Sequence, residues 1–145
     1  MFLRELEETM MSDSFEGGCQ CGAVRYRATG TPEHVALCHC ADCRKSSGAP
    51  MVLWAAFAEK AVTVLNGNVS DYHSSPSVTR SFCPVCGTGV FFTNPEALPG
   101  LIDIQAATFD DPEALPPQVQ IQTAERPHWM TTLDALPSFE RFPGE

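Results

Sequence analysis

The sequence has no long apolar run and no apolar leader. Its longest apolar stretch, residues 51–58, is far shorter than the roughly 18 residues that a membrane-spanning helix requires. The N-terminus turns acidic at Glu5 and lacks the apolar core of a secretory signal. A membrane protein and a secreted protein are therefore not expected, and the predicted location is the cytoplasm.

Basic residues are also scarce. Nine Lys and Arg stand against eighteen Asp and Glu, which gives a net charge of −9. Nucleic-acid binding depends on an excess of basic side chains, and an anionic membrane surface would repel this chain. No nucleic-acid partner and no membrane partner are expected. A small anionic substrate is compatible with this charge, because a few local basic residues can hold one.

The distribution of apolar residues predicts a mainly β protein. The chain length suits one domain, with residues 1–14 as an N-terminal appendage and residues 15–145 as a single zinc-binding domain. Five prolines between positions 95 and 117 discourage long helices. Alternating or continuous apolar patterns predict short strands at 24–28, 51–57, 61–65, 69–73, 78–82, 90–92, 102–106 and 118–122. Asn66-Gly67 predicts a hairpin between the third and fourth of these.

Seven cysteines in a chain expected to be cytoplasmic indicate metal binding rather than disulfides. In an extended strand, a C-x-C pair places both sulfurs on one face, and a C-x-x-C pair in a tight turn lets both sulfurs approach one ion. Pro84 and Gly87 favour such a turn. The cysteines form three groups, Cys19-x-Cys21, Cys38-x-Cys40-x-x-Cys43 and Cys83-x-x-Cys86.

The number of cysteines divides naturally into four and three. The first and third groups together supply the four ligands of a structural zinc, and the middle group supplies three ligands with one exchangeable position, as in catalytic zinc. Spacing alone leaves open a zinc ribbon made from the two C-x-x-C pairs, an iron–sulfur cluster, or disulfides. His39, between two cysteines, is expected to be packed or hydrogen-bonded rather than to bind the metal.

Three stretches around these cysteines carry a family resemblance. They read GGCQCGAVRY at 17–26, CHCADCRKSSGAP at 38–50 and FCPVCG at 82–87, with weaker matches at 108–112 and Trp129. The chain resembles, over about residues 15–142, the glutathione-dependent formaldehyde-activating enzyme family, which also contains centromere protein V. The family's founding activity is the condensation of glutathione with formaldehyde, formally a carbon–sulfur lyase reaction in reverse.

The resemblance implies a fold and a metal content. The implied fold is Mss4-like, with several short antiparallel strands stapled by a four-cysteine zinc. Two zinc ions per chain are implied. The structural zinc would be held by Cys19, Cys21, Cys83 and Cys86, and the catalytic zinc by Cys38, Cys40 and Cys43.

The resulting hypothesis is a zinc-dependent lyase that acts on a glutathione (thiol) adduct of a small aldehyde such as formaldehyde. Three thiolates on Zn²⁺ leave a net charge of −1, which suits holding a fourth thiol as its thiolate better than activating water. Arg44 and Lys45 are candidates for binding substrate charges, or are solvated surface charges. Ser46, Ser47 and Gly48 are candidate donors to a developing oxyanion, or only shape the turn. The alternatives are a non-catalytic zinc module and a glutathione-binding carrier.

Overall fold

The computed structural model describes residues 13–144, so most of the predicted N-terminal appendage lies outside the described residues. No helix in this range is long and apolar enough to span a membrane. In chain order the strands are β1 (Ser14–Gly18), β2 (Arg25–Thr29), β3 (His34–Cys38), β4 (Val52–Ala58), β5 (Val62–Asn66), β6 (Ser70–Ser75), β7 (Val78–Phe82), β8 (Gly89–Thr93), β9 (Leu101–Gln105) and β10 (Val119–Ile121). The predicted mainly β fold is confirmed.

The helical segments between residues 13 and 144 are short. One α-helix, α1 (Ala41–Ser47), connects β3 to β4. Cys40 caps its N-terminus, and Gly48 ends it with a φ of 70° that favours glycine. The 3₁₀ segments are Glu59–Ala61, Ala106–Thr108, Thr123–Glu125 and His128–Ala135.

The strands form two sheets. A three-stranded sheet has the order β1-β2-β5, and a seven-stranded sheet has the order β10-β3-β4-β9-β8-β7-β6. Strand β10 runs parallel to β3. The other paired strands of the described chain run antiparallel.

The prediction of a β-hairpin at Asn66-Gly67 is wrong. Strand β5 pairs with β2 in the small sheet, whereas β6 pairs with β7 in the large one. The turn itself forms, with Gly67 at a φ of 78°. However, a Cβ at Gly67 would collide with the carbonyl of Ala23, and the Asn66 side-chain amide donates to that carbonyl at 3.4 Å. Packing against the chain before β2 thus directs the turn from one sheet to the other.

One face of the large sheet forms the main core against the small sheet. Tyr26 of β2 is fully buried, with its ring 5.4 Å from that of Phe91 and 5.7 Å from that of Phe109. Its hydroxyl lies 2.6 Å from Thr108 Oγ1, which satisfies the buried polar group. The large sheet contributes Val35, Ala55, Phe57, Val90, Phe91 and Ile104 to this core.

The opposite face of the large sheet carries a continuous row of residues across five strands. Directly paired residues project to the same face, because side chains alternate along each strand. The row, which we call the site row, consists of His34, Ala56, Asp103, Phe92 and Arg80. On the same side, α1 packs Cys43 against Val52 and Trp54. This face therefore brings together charged, aromatic and cysteine side chains.

Candidate functional site

Four cysteines from two connections meet at one point. Cys19 and Cys21 follow β1, and Cys83 and Cys86 follow β7. Their sulfurs all lie within 4.8 Å of one another, with 3.6 Å between Cys19 and Cys21 and 3.9 Å between Cys21 and Cys83. Zn–S bonds of about 2.3 Å in a tetrahedron place sulfurs about 3.8 Å apart, so this donor set fits a structural zinc.

Hydrogen-bond donors approach three sulfurs of this four-cysteine cluster. Amide groups approach them as donors, with Val24 N 3.2 Å from Cys19 Sγ and Val85 N 3.4 Å from Cys83 Sγ. Hydrogen bonds from Thr88 lower the pKa of the Cys86 thiol to about 5. Donors directed at a sulfur favour its thiolate, which is the form that binds metal.

The middle group of cysteines forms a second cluster around the start of α1. Cys38 is the last residue of β3, Cys40 caps the helix, and Cys43 lies in its first turn. The Cys43 amide donates to Cys40 Sγ at 3.2 Å, and the three sulfurs lie within 4.8 Å of one another. The structure therefore groups the cysteines as four and three. This grouping rules out the zinc ribbon, because Cys83 lies with Cys19 rather than with Cys40.

The three-cysteine cluster lies in the wall of a cavity of about 330 Å³. This volume is at the lower end of the range typical of small-molecule sites. Trp54 and four members of the site row also line this cavity. Ala56 is the one member of the row that does not. The Trp54 and Phe92 rings stand 5.5 Å apart and form an aromatic wall beside the cysteines.

Arg80 is a site residue that the sequence reasoning missed. Its Nη1 and Nη2 each lie 3.9 Å from Cys43 Sγ, and its guanidinium carbon lies 5.0 Å from the centre of the Phe92 ring. No spacing signal marks this arginine, which is 37 residues from Cys43 in the chain. Its partner Phe92 is directly opposite on the neighbouring strand. Only the pairing of β7 with β8 reveals the contact.

Burial makes these thiols hold their protons in the absence of a cation. It raises the pKa of the Cys38 thiol to about 12 and also raises the pKa of Cys43. Hydrogen bonding from Trp54 and Arg80 acts in the opposite direction at Cys43. A metal ion bound here would displace the protons, so binding is expected to release them.

The other predicted substrate residues lie on or beside α1. Arg44 is half-buried, whereas Lys45, Ser46, Ser47 and Gly48 are exposed. Lys45 and Ser46 line a surface depression that also contacts Arg80. Ser47 Oγ accepts from the amide of Ala49 at 3.2 Å and so helps to end the helix. The substrate-binding role of these residues stays a prediction.

His39 behaves as the sequence indicated. It is almost completely buried, and its Nε2 lies 2.9 Å from Gln120 Oε1. Its ring nitrogens do not belong to either cysteine cluster. The expectation that it is packed and hydrogen-bonded is confirmed, and its exclusion from the metal ligands stays a prediction.

A family profile, a curated relative and a solved structure are similar to this chain. The family profile described as glutathione-dependent formaldehyde-activating enzyme matches residues 14–125. An uncharacterized lyase of Schizosaccharomyces pombe is 33% identical over 103 residues, which cover 66% of this chain and 74% of the relative. A crystal structure of a Rhodobacter sphaeroides protein is similar in fold, with a TM-score of 0.54 and 21% identity. That similarity covers 72% of this chain and 97% of the Rhodobacter chain.

Proposed function

The chain belongs to the glutathione-dependent formaldehyde-activating enzyme family, and on this premise we propose that it is a zinc-dependent carbon–sulfur lyase. The proposed substrate is a glutathione adduct of a small aldehyde such as formaldehyde. The lyase name of the fungal relative supports this reaction class. The observation that carries the proposal is the position of Cys38, Cys40 and Cys43 in the wall of a ligand-sized cavity.

We assign one zinc to each cysteine cluster. The four-cysteine cluster provides a complete tetrahedral donor set, whereas the three-cysteine cluster leaves one position for an exogenous ligand. Zinc in the three-cysteine cluster would supply a cationic position that stabilises a substrate sulfur as its thiolate. The negative charge of three thiolates and a substrate sulfur needs a counterion. Arg80, 3.9 Å from Cys43 Sγ, is placed to offset it.

The surrounding side chains would position the adduct and exclude water. Trp54 and Phe92 cover the wall next to the cysteines, where they would limit the competing addition of water to the aldehyde carbonyl. In the lyase direction the C–S bond breaks, the adduct hydroxyl loses its proton, and the sulfur keeps the bonding electron pair and takes up a proton. The products are glutathione and the free aldehyde.

The end of α1 is the proposed contact for the rest of glutathione. Lys45 and Ser46 share a depression with Arg80, which also lines the cavity. This proximity supports Lys45 as a partner for a glutathione carboxylate and Ser46 as a nearby donor. Arg44, Ser47 and Gly48 are proposed with them only as their neighbours at the end of α1.

The proposal is tested by the rate at which the protein interconverts glutathione plus ¹³C-formaldehyde with their adduct, measured by NMR exchange spectroscopy. Zinc-loaded protein should accelerate exchange above the spontaneous rate. Cys40→Ser should abolish the acceleration while circular dichroism shows an intact fold and metal analysis shows one zinc instead of two. Exchange at the spontaneous rate would overturn the lyase proposal. Calorimetry with glutathione would then separate a carrier from a module that does not bind it.

A further inference from the structure

The site row places opposite charges at separate positions along one wall of the cavity. Arg80 lies beside the cysteines, and Asp103 lies two strands away on β9. Strands spaced by about 4.8 Å put the two backbone positions about 10 Å apart. Both side chains line the same cavity. A ligand whose sulfur is bound at the cysteine cluster could therefore meet a carboxylate further along this wall.

Asp103 is unusual among the described acidic residues because it is buried, with only 5% of its surface exposed. Its Oδ1 has no hydrogen-bond partner. The nearest cationic candidate is His34, whose Nε2 lies 3.4 Å from Oδ1, well beyond the roughly 2.8 Å of a charge-assisted hydrogen bond. Buried carboxylates normally have full hydrogen-bond partners, so Asp103, which lines the cavity, lacks a donor that a bound ligand could supply.

The surroundings of the Asp103 carboxyl group favour a cationic hydrogen-bond donor in particular. Burial raises the pKa of the Asp103 carboxyl, and His34 only partly opposes this effect. The charged and titratable groups lining the cavity, apart from the cysteines, are His34, Asp42, Arg80 and Asp103. A ligand ammonium next to Asp103 would stabilise the ionised carboxylate and supply the missing hydrogen bond.

Glutathione carries such a group at a suitable distance from its sulfur. Its γ-glutamyl ammonium is separated from the thiol by a chain that extends to about 7–10 Å. From this geometry we infer that Asp103 binds the amino group of the γ-glutamyl moiety and so selects glutathione over simpler thiols. This inference rests on the proposed function, because it assumes that the thiol is held at the three-cysteine cluster.

The test compares two ligands and three proteins by calorimetry. The ligands are glutathione and glutaryl-cysteinylglycine, which lacks only the amino group. Zinc-loaded wild-type protein should bind glutathione about tenfold more tightly, as expected for a hydrogen-bonded charge. Asp103→Asn should reduce this preference to about twofold or less, with little change in affinity for the analogue. Asp110→Asn, which removes an exposed carboxylate on the far side of the main core, should keep the full preference.

The outcomes separate this inference from the proposed function. Equal binding of both ligands by the wild-type protein would overturn the role of Asp103 and leave thiol capture intact. If Asp103→Asn still prefers glutathione to the analogue, the role of Asp103 is likewise overturned and thiol capture stays intact. If neither ligand binds the zinc-loaded wild-type protein, the proposed function fails and the inference fails with it. Because the wild-type comparison needs no variant, equal binding of the two ligands refutes the inference even if Asp103→Asn does not fold.

Discussion

Replacing Arg80 by methionine should weaken zinc binding at the three-cysteine cluster. Both terminal nitrogens of Arg80 lie 3.9 Å from Cys43 Sγ, and the side chain is held in place by stacking on Phe92. Methionine fills similar space and retains an apolar contact with the ring, but it has no charge. The variant therefore removes the counterion of the thiolates with little loss of packing.

The size of the effect follows from the contact distance. A hydrogen bond to a charged group contributes about 1.5–3 kcal/mol. Because 3.9 Å is long even for sulfur, we take the lower end of this range, about 1.5 kcal/mol. This corresponds to roughly tenfold weaker zinc affinity. Arg80→Lys should fall between wild type and Arg80→Met, since lysine keeps the charge but loses the planar fork and much of the stacking.

Competition with a chromophoric chelator measures this change. Zinc should leave the protein in two phases, and Arg80→Met should shift only the weaker phase. Arg27→Met is the matched control, because it removes the same charge from β2 in the small sheet, where Arg27 pairs with Glu16 at 3.5 Å. Unchanged affinity in Arg80→Met would refute the counterion role. Equal weakening in both variants would show that only net charge matters.

Two further predictions concern stability. Cys83→Ser should unfold or aggregate in thermal denaturation, because structural zinc binding contributes about 10–16 kcal/mol, whereas the free energy of unfolding of a small domain is only about 5–15 kcal/mol. Cys40→Ser should stay folded. Equal loss of fold in both variants would refute this difference. Asp110 accepts from Arg25 at 2.8 and 2.5 Å, which lowers the pKa of its carboxyl. A lowered carboxyl pKa stabilises the fold above the unfolded value of about 3.9, and this stabilisation is lost as pH falls through the folded value. Asp110→Asn should therefore cost at most about 1 kcal/mol at neutral pH, since the pair is exposed, and the difference in melting temperature should disappear in acid; a difference that persists there would contradict the ion-pair explanation.

The sequence predicted most strands and the cysteine groups because both depend on local patterns. Residues 78–82 were predicted with the observed bounds of β7, and several other strands, β10 among them, with small shifts at their ends. The cysteine motifs are short, and their spacing limits which sulfurs can meet. The division into four and three was favoured by the ligand numbers of closed and open zinc sites and implied by the family resemblance, and the structure groups the sulfurs in the same way.

The strands at 14–18 and 34–38 and the helix at 41–47 were not predicted. Three other missed features depend on tertiary neighbours. The hairpin at Asn66-Gly67 was wrong because the turn packs on Ala23, a contact with a residue 43 positions earlier. Asp103 alternates with Ile102 and Ile104, which indicates two different faces but not that the polar face is covered. Arg80 gains its partner only when β7 pairs with β8. Local patterns do not encode these tertiary neighbours.

The two cysteine clusters differ in how much of the chain they connect, and this difference supports the roles proposed for them. Cys21 and Cys83 are 62 residues apart and join the loop after β1 in the small sheet to the loop after β7 in the large one. Closing such a long loop removes much conformational entropy from the unfolded chain, so a metal there stabilises the packing of the two sheets. The three-cysteine cluster spans only residues 38–43 at the start of one short helix. A metal there would constrain little of the chain, which agrees with the proposed role of this cluster in holding a ligand in the adjoining cavity.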